Sequence, residues 1–388
     1  MSIAAERGSA KVCFDGTHRV CDPEQTLRRI RPLLPRMGIT RLADVTWLDD
    51  IGVPVYQAVR PNSYLMSVSQ GKGLSRAHAI VSAAMESIES WHAERVGEGD
   101  LVATAGEVEP DLAYRLDELT LAPRHYLNPA AKLRWTRARH LLGGEETLVP
   151  TDVLDLDGRI TDRWRPPLFV KSSNGLASGN ILDEAVLHGL YEVIERDALT
   201  RAGNGPVRHL VDSRTVDGES GELFRRLRDA GVDAAADLLP SPTGLPCFRA
   251  RIISDSFPVV FVGMGCHFDR DVALCRALTE AVQSRVTTIA GTRDDVTGDR
   301  FVRAEGISSG RVSRPDLAQW STGDVPLSFV DVESRRHGTI AEDLRLAGEL
   351  VQAHTGRDPL VVDHTRPDIG IPVARVVCPG LVFNPDLV

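Results

Sequence analysis

No apolar run in these 388 residues approaches the ~20 that a membrane-spanning helix needs, and the opening Met1-Ser-Ile-Ala-Ala-Glu-Arg7 carries no apolar core of the signal-peptide kind. The expectation is a cytoplasmic protein with no membrane partner. Basic residues number 45 against 54 acidic ones, and the formal net charge of −9 is opposite to the basic footprint of a nucleic-acid binder, so no nucleic acid is expected as a partner. The six cysteines, Cys13, Cys21, Cys247, Cys266, Cys275 and Cys378, include no C-x-x-C pair; buried thiols are expected in place of a zinc site or disulfide frame. Gly71-Lys72-Gly73 suggests a phosphate turn but has no G-x-x-x-x-G-K-[ST] spacing, which disfavours Walker-type chemistry. No low-complexity linker divides the chain. With 42% hydrophobic and 26% charged residues, one large α/β domain is expected.

What is present centres on Lys171-Ser-Ser-Asn-Gly-Leu-Ala-Ser-Gly-Asn180, a small, polar loop with open backbone N–H groups, followed by a predicted helix through Ala198. At roughly 100° per residue, Glu184, His188, Glu192 and Glu195 fall at about 0, 40, 80 and 20° on one stripe, opposite Val186, Leu187, Leu190, Val193 and Ile194. Such a stripe also suits a solvated helix face. Carboxylates stacked beside an anion loop, however, repel one another unless cations sit among them, which points to magnesium and a nucleotide.

The register of that stripe recurs. Ala79 to Glu89, Ala185 to Glu195 and Ala273 to Gln283 each place Glu seven residues after Ala, and Glu or Gln three further on: Glu86 with Glu89, Glu192 with Glu195, Glu280 with Gln283. Residues three apart share a helix face, so each copy presents a pair of oxygens, and the repetition suggests related units set around one site.

Earlier in the chain, Asp22 before Pro23 reads as a helix N-cap, leaving Arg19 either a phosphate ligand or a surface charge at a strand end. Strands are expected over Ile39–Leu48 and Val53–Arg60, over Phe248–Ser254 and Pro258–Cys266, and again near Pro359–Asp363 and Ile371–Cys378. The third repeat helix is expected to end near Arg285. The proline-broken stretch from Leu101 to about Val170 reads as peripheral structure and surface loops.

The series Ser-Asn-Gly-Leu-Ala-Ser-Gly-Asn, Glu-Ala, Gly-Leu-x-Glu-x-Ile-Glu-Arg-Asp-Ala at 173–198 resembles the central signature of the YcaO family. Gly-Lys-Gly with Ser-Ala-x-Met-Glu-x-Ile-Glu at 71–89, Glu280-Ala-Val-Gln-Ser-Arg285, and Ile371-Pro-Val-Ala-Arg-Val with Pro379-Gly-Leu381 extend the likeness over about residues 16–381. The resemblance implies a YcaO-type α/β fold, sheets flanked by helices with an internally repeated strand–helix unit around a nucleotide site. Residues 1–60 would contribute to that site and 61–388 would form the catalytic domain. It implies ATP and Mg²⁺ as cofactors and an enzyme that phosphorylates a backbone amide oxygen of a ribosomally made precursor peptide.

By the same resemblance, Glu86, Glu89, Glu184, Glu192 and Glu195 match the acidic ligands for magnesium and nucleotide, with Glu86, Glu192, Glu195 and Arg196 as the catalytic set. Asn180 and Arg196 match nucleotide contacts, Arg19 and Thr26 an N-terminal pair, and Arg285 and His188 further nucleotide-side positions. A Pro-rich tail common in azoline-forming members is replaced by Phe383-Asn-Pro-Asp-Leu-Val388. The stretches from Gly38 and Arg60 resemble members that act beside a TfuA-type partner. Thioamide formation with sulfide or a sulfur carrier is therefore favoured, in a homodimer, with azoline or macroamidine formation and a non-catalytic nucleotide-binding role as the other readings.

Overall fold

The computed structural model describes residues 10–14, 16–159, 166–203, 209–293, 299–310, 313, 315–317 and 326–387; Met1–Arg7 lies outside them. In chain order the first elements are β1 (Val12–Phe14), β2 (Thr17–Arg19), α1 (Pro23–Ile30), β3 (Arg41–Asp44), β4 (Val55–Val59), β5 (Val68–Lys72) and α2 (Arg76–Ala93). Next come β6 (Leu101–Thr104), α3 (Ala105–Val108), β7 (Lys132–His140), β8 (Glu146–Pro150), β9 (Leu176–Ser178) and α4 (Leu182–Ala202). They are followed by β10 (Val211–Asp212), α5 (Gly218–Asp229), β11 (Val232–Leu238), β12 (Cys247–Ser254), β13 (Phe261–Cys266), α6 (Arg270–Ala290) and α7 (Asp299–Ser308). The chain closes with β14 (Leu327–Ser328), α8 (Ile340–Thr355), β15 (Leu360–Asp363) and β16 (Val373–Val377).

The start of α1 follows directly from its sequence. Asp22 is the N-cap and accepts from the Glu24 amide at 2.8 Å, with Pro23 at the first helical position, where its missing N–H costs nothing. Pro32 and Pro35 lie beyond Ile30, and the chain continues there as a 3₁₀ helix over Arg31–Met37.

The repeat is a structural one. The antiparallel sheet β3-β4-β5 leads into α2, and the antiparallel sheet β11-β12-β13 leads into α6, each helix lying back across its own sheet. The middle helix α4 lies against β9 and β16, the end of a six-stranded sheet ordered β6-β7-β15-β16-β9 with β8 also on β7. Close approach is purchased with glycine: a Cβ at Gly71 would stand 2.0 Å from the Ala83 amide nitrogen of α2, and one at Gly263 2.2 Å from the Ala277 carbonyl of α6. Gly71-Lys72-Gly73 is therefore the end of a strand carrying a helix, not a phosphate turn.

Three expectations need correction. The 101–170 stretch is not only periphery, because β7 is an interior strand and Trp135 on it is fully buried. Helix α6 runs past Arg285 to Ala290, where Gly291 at φ 60° stops it. The boundary at residue 60 falls inside one sheet, since β4 and β5 pair across it. The cysteines are all free, with Cys247, Cys266, Cys275 and Cys378 buried but Cys13 exposed.

Candidate active site

Helix α4 is not an amphipathic surface helix. Burial surrounds it, and Glu184 and Glu195 are only 3% and 4% exposed. Its apolar residues pack with α8, β13 and β16, and the acidic stripe, with Glu192 half-buried, lies within electrostatic reach of Glu89 on α2 and Glu280 on α6. Carboxylates from all three repeat helices thus meet. Glu280 acts electrostatically on Glu86, Glu192 and Glu195, and Glu89 is acted on by Glu86 and Glu192.

The electrostatics carry the mark of an anionic cluster short of cations. Burial pushes the Glu86 carboxyl up to about 7, with Arg293 and Lys72 opposing. Burial pushes Glu89 up to about 8, although Ser178 donates to its Oε1 from both the amide at 2.8 Å and the hydroxyl at 2.6 Å. Glu195 rises to about 7 and Glu192 also rises, again through burial first, with Arg196 as the main opposing charge. Glu280 behaves differently. Burial would raise it too, but Lys72, whose Nζ donates to Oε2 at 2.6 Å, and Arg196 hold it below the usual carboxylate range.

At the amino end of α4, where the N-cap Ile181 offers no side-chain cap, side chains tie the helix to α1 and β2. Thr26 Oγ1 on α1 donates to Asn180 Oδ1 at 2.8 Å, Asn180 Nδ2 donates to Glu184 Oε1 at 3.1 Å, and the Val20 amide donates to Glu184 Oε2 at 2.9 Å. Arg19 lies 4.0 Å from Glu184 and also faces Glu89 and Arg276. His188, one turn further along α4, accepts at Nε2 from Arg276 at 3.0 Å, which places the ring proton on Nδ1. The structure thus gathers Arg19, Thr26, Glu86, Glu89, Asn180, Glu184, His188, Glu192, Glu195 and Arg196 along one seam.

Arg285 is the exception. Its guanidinium is buried on the far side of α6, bidentate to Asp49 at 2.7 and 3.1 Å and bonded to Ser254 at 2.9 Å, so it locks α6 to the loop before β4 and does not face the carboxylates. Five positions beyond Glu280 is about 140° round a helix, whereas Arg276, four before it, shares the Glu280 face. That i, i+4 spacing was the available signal for Arg276. Lys72 and Arg375, which acts on Glu192 from β16, lie in motifs that carry the resemblance, Gly71-Lys72-Gly73 and Ile371-Pro-Val-Ala-Arg-Val, but no spacing ties them to the acidic helices; the packing of strands against α6 and α4 brings them in.

Among the described residues no three His, Cys, Asp or Glu side chains close round one point as a ready cation cage. Mg²⁺ is bound through one or two carboxylates, with waters and phosphate oxygens completing its shell. Raised, mutually repelling carboxyls are the donor set that such an ion would relieve. Among the described residues no helix is long and apolar enough to cross a membrane.

Comparison with known proteins bears on this geometry. Residues 70–382 match the family model described as YcaO cyclodehydratase, ATP- and Mg²⁺-binding. An uncharacterized Mycobacterium tuberculosis protein is 40% identical over 373 residues, 95% of this chain and 83% of that one. A Rhizobium leguminosarum bv. trifolii protein named for its place in the tfuA 3′ region is 35% identical over 97% of this chain and 91% of its own length. Among solved structures, YcaO from Methanopyrus kandleri bound with AMPPCP and Mg²⁺ superposes with a TM-score of 0.73 at 24% identity, covering 96% of this chain and 94% of that one. A heterocyclase in complex with substrate and cofactor superposes at 0.78 with 22% identity; the match covers 99% of this chain but 55% of that longer one. The converging acidic helices and the family match over residues 70–382 agree, and the chain belongs to the YcaO family, whose model is described as ATP- and Mg²⁺-binding.

Proposed function

We propose that this protein uses ATP and Mg²⁺ to phosphorylate a backbone amide oxygen of a ribosomally made peptide, and that sulfur then replaces the activated oxygen to give a thioamide, with a TfuA-type protein as partner. The observation that carries the first half is the meeting of Glu86, Glu89, Glu192, Glu195 and Glu280 from three helices beside Arg19, Arg196 and Arg276. The thioamide half is supported by the 35% identical relative from a tfuA region.

Phosphoryl transfer asks the protein mainly to position groups and to stabilise charge. Mg²⁺, when bound, supplies positive charge between the carboxylates and the phosphate oxygens. Arg19, Arg196 and Arg276 are the guanidiniums placed to hold phosphate oxygens, and Lys72 keeps Glu280 ionised as a donor. Thr26, Asn180 and Glu184 fix α1 to the start of α4, so Arg19 is held in place before any ligand arrives. An amide oxygen is a poor nucleophile, and fixed orientation of this kind contributes up to about 7–11 kcal/mol in favourable cases.

The test is incubation with ATP, Mg²⁺, a precursor peptide, sulfide and a TfuA-like protein. Phosphate release coupled to a mass gain equal to exchange of oxygen for sulfur supports the reading. Loss of one water would assign azoline or amidine formation instead, and nucleotide binding without product in every combination would assign an accessory role. Glu192→Gln should abolish Mg²⁺-dependent ATP binding with the fold intact; unchanged affinity overturns the site.

A further inference from the structure

On a chain of net charge −9, one strip of surface is basic. It starts on α1 and the 3₁₀ helix that follows, where Arg28, Arg29, Arg31 and Arg36 all stand exposed. The acids of that segment, Asp22 and Glu24, lie at the other end of α1, and Asp22 is occupied in the helix cap. Arg28 and Arg31 make no ion pair and no side-chain hydrogen bond among the described residues. Arg29 Nη1 donates to a backbone carbonyl, that of Asn180, at 3.0 Å. Arg36 does reach a carboxylate, Asp368 at 3.4 Å, but Arg366 reaches the same one, also at 3.4 Å. Guanidiniums here outnumber the carboxylates that could pair with them.

From Arg366 the strip continues as a ladder in which guanidiniums and rings alternate. Arg366 Cζ lies 5.3 Å from the centroid of Trp91, Arg95 Cζ 4.8 Å from Trp91 and 4.4 Å from Tyr64, and Arg159 Cζ 3.6 Å from Tyr64. Trp91, Arg95 and Tyr64 are half-buried, so the protein fixes them while their edges stay open to solvent. Cation–π contacts of this kind hold long side chains in place before a partner arrives, which lowers the entropy lost on binding. Here too the acids fall short: Glu94, the carboxylate at Arg95, is already bidentate to the buried Arg60, with both bonds at 2.6 Å. Arg159 has its own carboxylate in Asp157.

We propose that this strip binds an acidic segment of the peptide that is modified, and that it leads the peptide along α1 to the carboxylate seam. That the bound chain is the substrate rests on the peptide-modifying function proposed above; the recognition of acidic peptide does not. Carboxylate side chains are the planar partners that arginine fits, and Arg, Trp and Tyr are the side chains on which binding interfaces most depend. A nucleic acid fits less well, because Trp91 and Tyr64 each already carry two guanidiniums and are not open platforms for stacked bases. Arg29 sets the destination. It is bonded to Asn180, which in turn donates to Glu184, so a chain lying on the strip arrives at the start of α4.

The probe is a fluorescein-labelled Glu-Ser repeat peptide, with a Gln-Ser repeat as its neutral counterpart and a uridine homopolymer as the nucleic acid, each titrated with the intact protein by fluorescence anisotropy. The Glu-Ser peptide should bind about tenfold or more tightly than the neutral one, and its affinity should fall as salt is raised. Arg28→Glu combined with Arg31→Glu should weaken that binding about tenfold or more while affinity for an ATP analogue with Mg²⁺ stays unchanged; Arg28→Lys with Arg31→Lys should weaken it less. Both positions are exposed, so the melting temperature should stay within about a degree of the unaltered protein. Equal binding of charged and neutral peptides, undiminished binding by the double Glu variant, or tighter binding of the RNA would overturn the proposal. In turnover with a precursor peptide, the double Glu variant should raise KM for the peptide and leave kcat and KM for ATP as they are; an unchanged peptide KM overturns the assignment of the bound chain as substrate. Binding of acidic peptide by a protein that consumes no ATP upholds the surface and overturns the proposed function instead.

Discussion

Lys72 Nζ lies 2.6 Å from Glu280 Oε2, an ion pair that joins the strand of the first repeat to the helix of the third. Both side chains keep some exposure, 19% and 24%, so the pair contributes roughly 1 kcal/mol or less to stability. Its weight falls on the site. Lys72→Met should reduce ATP turnover about 10²-fold with little change in melting temperature. A double-mutant cycle with Glu280→Gln, read in kcat, should show strong coupling, and additive losses would mean that Lys72 acts elsewhere.

The carboxyls predict an inverted pH dependence for the protein without ligands. Glu86, Glu89 and Glu195 are held near 7 to 8 in the folded chain but titrate near the usual carboxylate value when unfolded. The folded state therefore binds more protons between those values, and stability falls as pH rises through that window. Buried histidines with lowered pKa, such as His78 at about 3, oppose this only below about 6.5, where the unfolded chain takes up protons first. Between pH 6.5 and 8 the melting temperature should drop by roughly 2–4 °C, and saturating Mg²⁺ with an ATP analogue should abolish the drop. A melting temperature that rises across that interval contradicts the cluster.

Gly71→Ala should be severely destabilising, by roughly 3 kcal/mol or more, because the added methyl meets the backbone of α2 and no side chain there can yield. Gly338→Ala, where a Cβ meets nothing within 4 Å, is the matched control and should melt within about a degree of the unaltered protein. Chemical denaturation of both variants checks the difference.

Arg285→Met separates a structural arginine from a nucleotide ligand. Removing one partner of the buried pair with Asp49 should cost about 3–5 kcal/mol. The fraction that remains folded should bind ATP with unaltered affinity by calorimetry. A loss of affinity at full stability would return Arg285 to the nucleotide site.

Much of this was written in the chain. The shared register of Glu86 with Glu89 and Glu192 with Glu195 announced repeated helices, and Asp22-Pro23 announced the start of α1, because caps and helical spacing depend on neighbours a few residues away. Arg285 was misplaced for a comparable reason. A motif match takes no account of the helix angle, and five residues turn a side chain to the opposite face.

Sequence alone determined which residues are acidic, which helices carry them and which face each pair shares, since those follow from composition and the pitch of an α-helix. Only the tertiary structure decided that Lys72 neutralises Glu280 across 208 residues and that Arg276 reaches His188 across 88. Contacts between distant segments depend on how glycine-floored strands let three helices pack onto their sheets, and no local spacing encodes that distance.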